Sequence, residues 1–570
     1  MEGIGVSNGI EISKVLIKDV KEEIPRYSIE DISAEILRFK SAVEDSIKDI
    51  ENLILNEKLA KEEMEIFDAH ICMLKDEEFL RFVEEKIKTD KINSEWALEK
   101  GKQFFVELFN SFDNEYFKER SIDLIDIINR ATNKLLKKEE LNYEKIEGKF
   151  VLVAHDLTPS ETVKIDKNKV IGFITEIGGK TSHVAIVARM LGIPAIVGAK
   201  NILSMVDNQS IIAMDGGNGQ FIINPTQYDI ESFNEKKKIM QIEENLDKDF
   251  LDKIPLSKDM KRFQVACNLQ VPTQLDEIIK NNGEGIGLLR SEFIYMDRKN
   301  APTEDIQFEI YKDIAVQMKE KPVIIRTLDV GGDKEISYLN IPKEENPFLG
   351  LRATRYCLKE KKFFKTQLRA ILRASNFGKV KIMFPMISSL KEIREAKNLL
   401  QECKKELDYE KIKYDEDIEI GIMIEVPSAA IISDILAKEV DFFSIGTNDL
   451  IQYTVAVDRL NNNVSDLYSN YNLAVLRLIK MVIENGHKNG IYVGMCGEAA
   501  RDINLIPIFM AMGLDEFSVN PSYVCRVKRY MSRYDIYQCE KLCKKVLSLE
   551  TDEEIEIILE EFKNENQNKK

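Results

Sequence analysis

The sequence predicts a multidomain α/β protein: a helical unit set inside a compact β/α unit, followed by a (β/α)8 barrel. Three observations carry this. Between about Ser28 and Leu136 apolar residues recur at spacings of three and four, with Ile32, Ile36, Phe39, Val43, Ile47, Ile50 and Ile54 on one face of a helix. Around Gly148 the texture changes to short β-rich runs separated by Gly, Asp and Asn. Beyond about Asp259, eight short strand runs alternate with amphipathic helices, as a (β/α)8 barrel requires. A doubly wound open sheet is the alternative arrangement of the same units.

In chain order, the opening GIGVSNGIEISKVLI reads as strand, so the helical unit is an insertion into the β/α unit rather than a leading domain. Ser28, followed by Asp31, is the expected N-cap signal of the first helix. The runs FVLVAHDL, KVIGFITE, PAIVGA, SIIAMDG and GQFIINP supply the strands of the β/α unit, interrupted by one helix from Ser182 to Leu191 that Gly192 and Pro194 stop. A charged helical connector is expected from Pro225 to about Asp259. The barrel strands are expected in RFQVACNL, GIGLLRSE, PVIIRTLD, KIMFPM, EIGIMIEV, FFSIGTND, YVGMCGE and EFSVN. Expected boundaries are 1–20 with 146–225 for the β/α unit, 21–145 for the helical unit, 226–257 for the connector and 258–570 for the barrel.

Composition narrows the class. With 44% hydrophobic and 31% charged residues the chain is globular. A net charge of −17 without a local basic patch argues against nucleic acid as a partner. The N-terminus lacks the features of a signal peptide and no apolar run approaches the ~20 residues that span a bilayer, so a cytoplasmic location without membrane insertion is expected. The eight cysteines form no CxxC pair, and reduced thiols are expected.

In a (β/α)8 barrel, reactive residues collect at the C-terminal ends of the strands. Here Arg290 ends the second strand run, Arg326 sits late in the third, Glu425 ends the fifth, Asn448 and Asp449 end the sixth, and Cys496 with Glu498 ends the seventh; Arg459 follows the sixth. Guanidinium forks bind phosphate and carboxylate, and paired carboxylates hold Mg2+. A phosphorylated carboxylic acid with a metal fits this set. One Arg alone could cap a carbonyl or pair with a surface acid, but Glu425 directly after an apolar strand is costly unless paired or metal-bound. A lone Cys in a strand is usually a small buried hydrophobe; beside Gly497 and Glu498, Cys496 has room for proton transfer.

His183 is one of only four histidines. Its neighbours Val184, Ala185 and Ile186 suit a structural residue, but it lies in the first turn of a helix, where backbone N–H groups and the helix dipole favour an anion. A neutral imidazole is a competent nucleophile for phosphorus. His70, His155 and His487 lack this setting and are read as structural.

With GGKTSHVAIVAR, GIGLLRSEFIYM, RTLDVGGDK, ENPFLGLRATR, IEVPSAA, FFSIGTNDLIQYTVAVDR and GMCGE in this order, the chain resembles Enzyme I of the phosphoenolpyruvate-dependent sugar phosphotransferase system nearly end to end. The resemblance implies that phosphoenolpyruvate phosphorylates His183, which passes the group to a histidine of the carrier HPr. It implies phosphoenolpyruvate binding by Arg290, Arg326, Asn448, Asp449 and Arg459, Mg2+ held by Glu425 and Asp449, and Cys496 as the proton donor that gives pyruvate. It also implies a phosphohistidine domain with an inserted HPr-binding helical subdomain, and a homodimer through the TIM barrel. Two positions depart from the pattern: Ala499, Ala500 and Arg501 precede Asp502 where Met-Ala-Gly-Asp is common, and Ser291 stands where Thr is frequent.

Residues 21 to 150 hold 22 Lys plus Arg against 32 Asp plus Glu, so −10 of the −17 sits there, a field that would steer a basic carrier. An ATP-using dikinase or synthase would need a further nucleotide-binding domain, and no Gly-rich P-loop is present. A non-catalytic phosphoenolpyruvate sensor would not need the full set of His183, Glu425, Asp449 and Cys496.

Overall fold

The computed structural model describes residues 1–18, 24–56, 61–111, 115–137, 146, 148–157, 159–162, 165–166, 168–179, 183–296, 298, 300–332, 336–339, 341–342, 344–459, 461 and 463–567. The chain forms two compact units, Met1–Ile242 and Glu243–Lys570.

The first unit is built on a seven-stranded sheet of β1 (Ile4–Ser7), β2 (Ile10–Ile17), β3 (Phe150–Ala154), β4 (Val170–Thr175), β5 (Ala195–Val197), β6 (Ile211–Asp215) and β7 (Gln220–Ile223), in the order β1-β5-β4-β3-β2-β6-β7. The helical insertion lies between β2 and β3, which are parallel neighbours with Lys14 opposite Phe150 and Ile17 opposite Val153. The sheet is therefore continuous across the insertion. β3 is buried throughout: Phe150, Leu152 and Ala154 pack on one face and Val151 and Val153 on the other, which is why it reads as an uninterrupted apolar run.

Among the described residues, five helices form the insertion: Ile32–Asn56, Lys61–Leu74, Glu77–Asp90, Ser94–Ser111 and Glu115–Leu135. Phe39, Val43 and Ile50 lie in their common core, with Ile32, Ile36, Ile47 and Ile54 packed against it, so the apolar stripe faces inward as its period demands. The N-cap differs from expectation. Asp31 Oδ1 accepts the Ala34 N–H at 2.9 Å, whereas Ser28 forms an isolated bridge with Ile92; a carboxylate directly before the helix also complements its dipole. The single helix expected in the β/α unit, His183–Leu191, is joined by short turns at Pro159–Thr162 and Ile202–Ser204. The connector helix, Gln227–Lys248, ends well before Asp259.

The second unit is a closed parallel barrel of β8 (Gln264–Leu269), β9 (Ile286–Arg290), β10 (Val323–Arg326), β11 (Val380–Phe384), β12 (Ile420–Ile424), β13 (Phe442–Ile445), β14 (Tyr492–Met495) and β15 (Glu516–Val519), closed by β15 pairing with β8. Seven fall inside the expected runs and β11 starts one residue before KIMFPM, at Val380; the open-sheet alternative is excluded. Leu288, Ile324, Met383, Met423 and Phe442 cluster in a core of their own, separate from the large core of the second unit. All eight cysteines are free. No helix among the described residues is long and apolar enough to cross a membrane.

Candidate active site

The C-terminal ends of the barrel strands carry a dense set of buried charges. Arg326 ends β10 and is 4% exposed; Glu425 follows β12 at 1%. Arg326 is ion-paired with Glu292, from the turn after β9, and with Asp329 at 2.9 Å. Arg352, from the long loop after β10, grips Asp329 with Nε at 3.1 Å and Nη2 at 3.3 Å. Its Nη1 donates to Asp449 at 3.1 Å and to the Tyr453 hydroxyl at 3.0 Å. Asp329 thus sits between two guanidiniums, and Arg352 links it to Asp449. Burial alone would lower the pKa of both arginines, but Glu292, Asp329 and Glu425 reverse this at Arg326, and Asp329 and Asp449 at Arg352. Both remain firmly charged.

Glu425 is different. Burial, reinforced by Asp449 and Asp329, pushes its carboxyl up to about 8 against the pull of Arg326 and Arg352. One of its oxygens accepts the Met386 N–H at 2.6 Å. A Cβ placed on Gly446 would come within 3.0 Å of its other oxygen, so glycine keeps that side open. A carboxyl crowded by like charge beside a second acid suits a hard divalent cation. Among the described residues no group of three or more His, Cys, Asp or Glu is arranged to hold a metal ion; two carboxylates plus substrate and water oxygens would suffice for Mg2+.

Asn448 and Asp449 do not end the sixth strand. β13 stops at Ile445, and both lie in the first turn of the helix Thr447–Val455. Asn448 Oδ1 accepts the Glu498 N–H at 2.9 Å, and the Asn448 carbonyl accepts the Tyr468 hydroxyl at 3.1 Å. Arg459, half-buried, reaches the same turn through its contact with Tyr468. Gly497 permits this approach, since a Cβ there would collide with Thr447. Cys496 follows the end of β14 and is 5% exposed. Burial pushes its thiol up to about 11, with Arg326, Glu425 and Arg290 all near enough to act on it. It is therefore a protonated thiol at neutral pH.

Arg290, Arg326, Glu425, Asn448, Asp449, Arg459 and Cys496 are thus gathered at one end of the barrel. Three buried polar atoms there, Arg290 Nε, Arg326 Nε and Thr327 Oγ1, have no hydrogen-bond partner among the described residues, as expected where a polar ligand completes the set. Sequence reasoning missed Glu292, Asp329 and Arg352. The first two closely follow strand ends, which was a usable signal; Arg352 lies in a loop without periodicity. The departure at Ala499–Arg501 is a turn in which Ala499 and Ala500 are buried while Arg501 pairs with Glu498 at 3.2 Å and lies over the Tyr523 ring at 5.1 Å.

His183 opens the helix His183–Leu191 in the first unit. Val184, Ala185 and Ala188 bury against the sheet and fix that helix start. Gly178 has φ of 115°, a conformation reserved for glycine. Lys180, Thr181, Ser182 and the His183 side chain lie outside the described residues.

Residues 244–536 match the PEP-binding domain of PEP-utilising enzymes, 2–120 their N-terminal domain and 146–219 their mobile domain. The chain is 44% identical over 564 residues to a phosphoenolpyruvate-protein phosphotransferase of Bacillus subtilis, covering 98% of this chain and 99% of that protein. It belongs to the phosphoenolpyruvate-protein phosphotransferase family, and is an enzyme of that type. A family member from Listeria monocytogenes is 43% identical over 99% of both chains. A solution structure titled Enzyme I matches 42% of this chain and 99% of its own length at 36% identity, with a TM-score of 0.36.

Proposed function

We propose that the chain takes the phosphoryl group of phosphoenolpyruvate onto His183, releases pyruvate, and passes the group to a histidine of the carrier HPr, the first step of sugar uptake by the phosphotransferase system. The observation that carries this is the convergence of Arg290, Arg326, Asp449, Glu425 and Cys496 at the barrel mouth, with unpartnered donors left for an anion. Arg290, Arg326, Asn448, Asp449 and Arg459 bind and orient phosphoenolpyruvate. Glu425 and Asp449 hold Mg2+, which when bound supplies charge neutralisation for the transferring group.

The His183 ring nitrogen attacks phosphorus; an N–P bond forms as the P–O bond to the enol breaks, and the electron pair stays on the enolate oxygen. The enolate carbon then takes the Cys496 thiol proton, giving pyruvate and a thiolate that solvent reprotonates. Burial suits Cys496 to this, because a thiol held near 11 stays protonated until a strongly basic carbanion forms beside it. In this reading the sheet unit, 1–20 with 146–225, is the phosphohistidine domain, 21–145 docks HPr, 226–257 is the linker, and 258–570 is the cytoplasmic enzyme's phosphoenolpyruvate-binding and dimerising barrel.

The test is labelling of the purified protein by phosphoenolpyruvate with Mg2+. The label should be acid-labile and base-stable, as a phosphoramidate is, should vanish in His183→Ala, and should move to HPr on mixing. An acid-stable label, or one surviving that substitution, would overturn the assignment.

A further inference from the structure

The opposite end of the barrel holds a second charged pocket that the reaction does not use. It is a cavity of about 460 Å³ where Lys253, Arg262, Lys321 and Lys528 meet Asp252 and Glu284. Its walls lie at the N-terminal ends of the strands: Glu284 just before β9, Lys321 just before β10, and Lys528 on the helix Val524–Met531 after β15. Lys528 is 2% exposed. Its ammonium donates to the Leu251 and Asn282 carbonyls, both at 3.2 Å. Lys321 donates to the Gly283 carbonyl at 2.8 Å and to Asn282 Oδ1 at 3.3 Å. Each ammonium has three N–H groups, so one donor on each is left over, and among the described residues neither has a carboxylate partner.

Buried charges in proteins are ordinarily paired. Here the acid nearest the two lysines in the wall, Glu284, is already engaged. Glu284 is held by Arg262 at 2.7 Å and by the Val265 N–H at 3.0 Å. Burial lowers the pKa of Lys528, and Lys321 lowers it further by repulsion while Glu284 opposes both. Two ammoniums close enough to repel thus share the wall of a polar cavity with, among the described residues, no carboxylate in ion-pair contact with either.

We propose that this pocket is an anion site for a phosphate-class dianion, inorganic phosphate or a small phosphomonoester, held between Lys321 and Lys528. The six charged residues sum to +2, which matches a dianion. Asn282, at φ of 50°, donates its amide to the Leu251 carbonyl at 3.3 Å while accepting from Lys321. The anion therefore joins a network that pins the segment after the connector helix to the barrel base. A clamp on carbonyls alone would need no such cavity and no second lysine.

The experiment is binding of inorganic phosphate to the full-length protein, followed by calorimetry and by thermal melting at constant ionic strength, with chloride and acetate as controls. Wild type should bind phosphate saturably and melt at higher temperature with it. Lys321→Gln should weaken that binding at least tenfold while leaving phosphoenolpyruvate labelling intact. Lys528→Met should do the same, and its melting curve without phosphate shows whether it folds. Arg290→Gln, which disables the catalytic mouth and phosphoenolpyruvate labelling, should leave phosphate binding at the barrel base unchanged. The proposal is overturned if wild type shows no saturable binding, if Lys321→Gln binds phosphate as wild type does, if Arg290→Gln abolishes the binding, or if acetate stabilises equally.

Discussion

The two ends of the barrel handle buried charge in opposite ways. At the mouth every strongly buried guanidinium has a carboxylate: Arg326 has Glu292 and Asp329, and Arg352 has Asp329 and Asp449. At the base, the partners of Lys528 and Lys321 among the described residues are carbonyl and amide oxygens. The difference teaches that one barrel can balance its buried cations with acids at one end and hold them by carbonyl oxygens at the other. The mouth is preorganised, so a substrate anion meets donors already held in place, as electrostatic catalysis requires. The base, on the proposal above, takes its balancing charge from a bound anion.

The largest effect should come from breaking the compensation at the mouth. Asp329→Asn leaves two buried guanidiniums short of their shared partner, which should destabilise the barrel by about 3–5 kcal/mol. Phosphoenolpyruvate labelling should fall by roughly 100-fold or more, as expected when preorganised charge is lost. Calorimetric melting and initial-rate labelling would show it, and a wild-type melt would mean that Asp329 is not the keystone. Next is Cys496→Ala, which should slow pyruvate formation by ~10²-fold or more while phosphoenolpyruvate binding changes little. Wild-type turnover in that variant would return Cys496 to a packing role.

A smaller effect belongs to Glu516 at the start of β15, which burial pushes up to about 7, with Lys381, Glu284 and Asp515 acting on it. An acid whose folded pKa is raised contributes stability that is present below its unfolded value near 4.5 and is lost as pH rises through about 7. Glu516→Gln should flatten that decline between about pH 5 and 8, read from chemical denaturation across the range. An unchanged slope would show that other groups set it. Smallest is Ala456→Gly at the end of the helix carrying Asn448 and Asp449. Ala456 has φ of 55°, and glycine there should stabilise by ~0.5–1 kcal/mol; a loss of stability would mean that its methyl packing outweighs the strain.

Much of this was legible in the residues. Eight apolar runs of the right length gave eight strands, because a parallel strand buried on both faces leaves a continuous apolar signature. Arg290, Arg326, Glu425 and Cys496 were found because each stands where such a run ends. Asn448 and Asp449 were placed one element too early, since Gly446 and Thr447 do not announce where a strand yields to a helix. Arg352 stands inside the run ENPFLGLRATR, but nothing local gives it a role, because its partner Asp449 is 97 residues away. Lys321 and Lys528 were invisible for another reason. In a chain with 31% charged residues, nothing local separates a buried lysine from a solvated one.

Closure of the barrel also sets a timetable for synthesis. Ser518 on β15 and Asn268 on β8 share a hydrogen bond across 250 residues of chain, and β15 supplies the neighbour that β8 lacks on one side. At ~5–20 residues per second a ribosome takes roughly 10–50 s to make that distance. Throughout that interval β8 has an open edge of unpaired N–H and C=O groups, in a nascent chain already exposing apolar strands. Growth conditions that slow elongation should therefore lower the yield of this barrel more than that of the first unit, which ends at Ile242, before any barrel strand emerges.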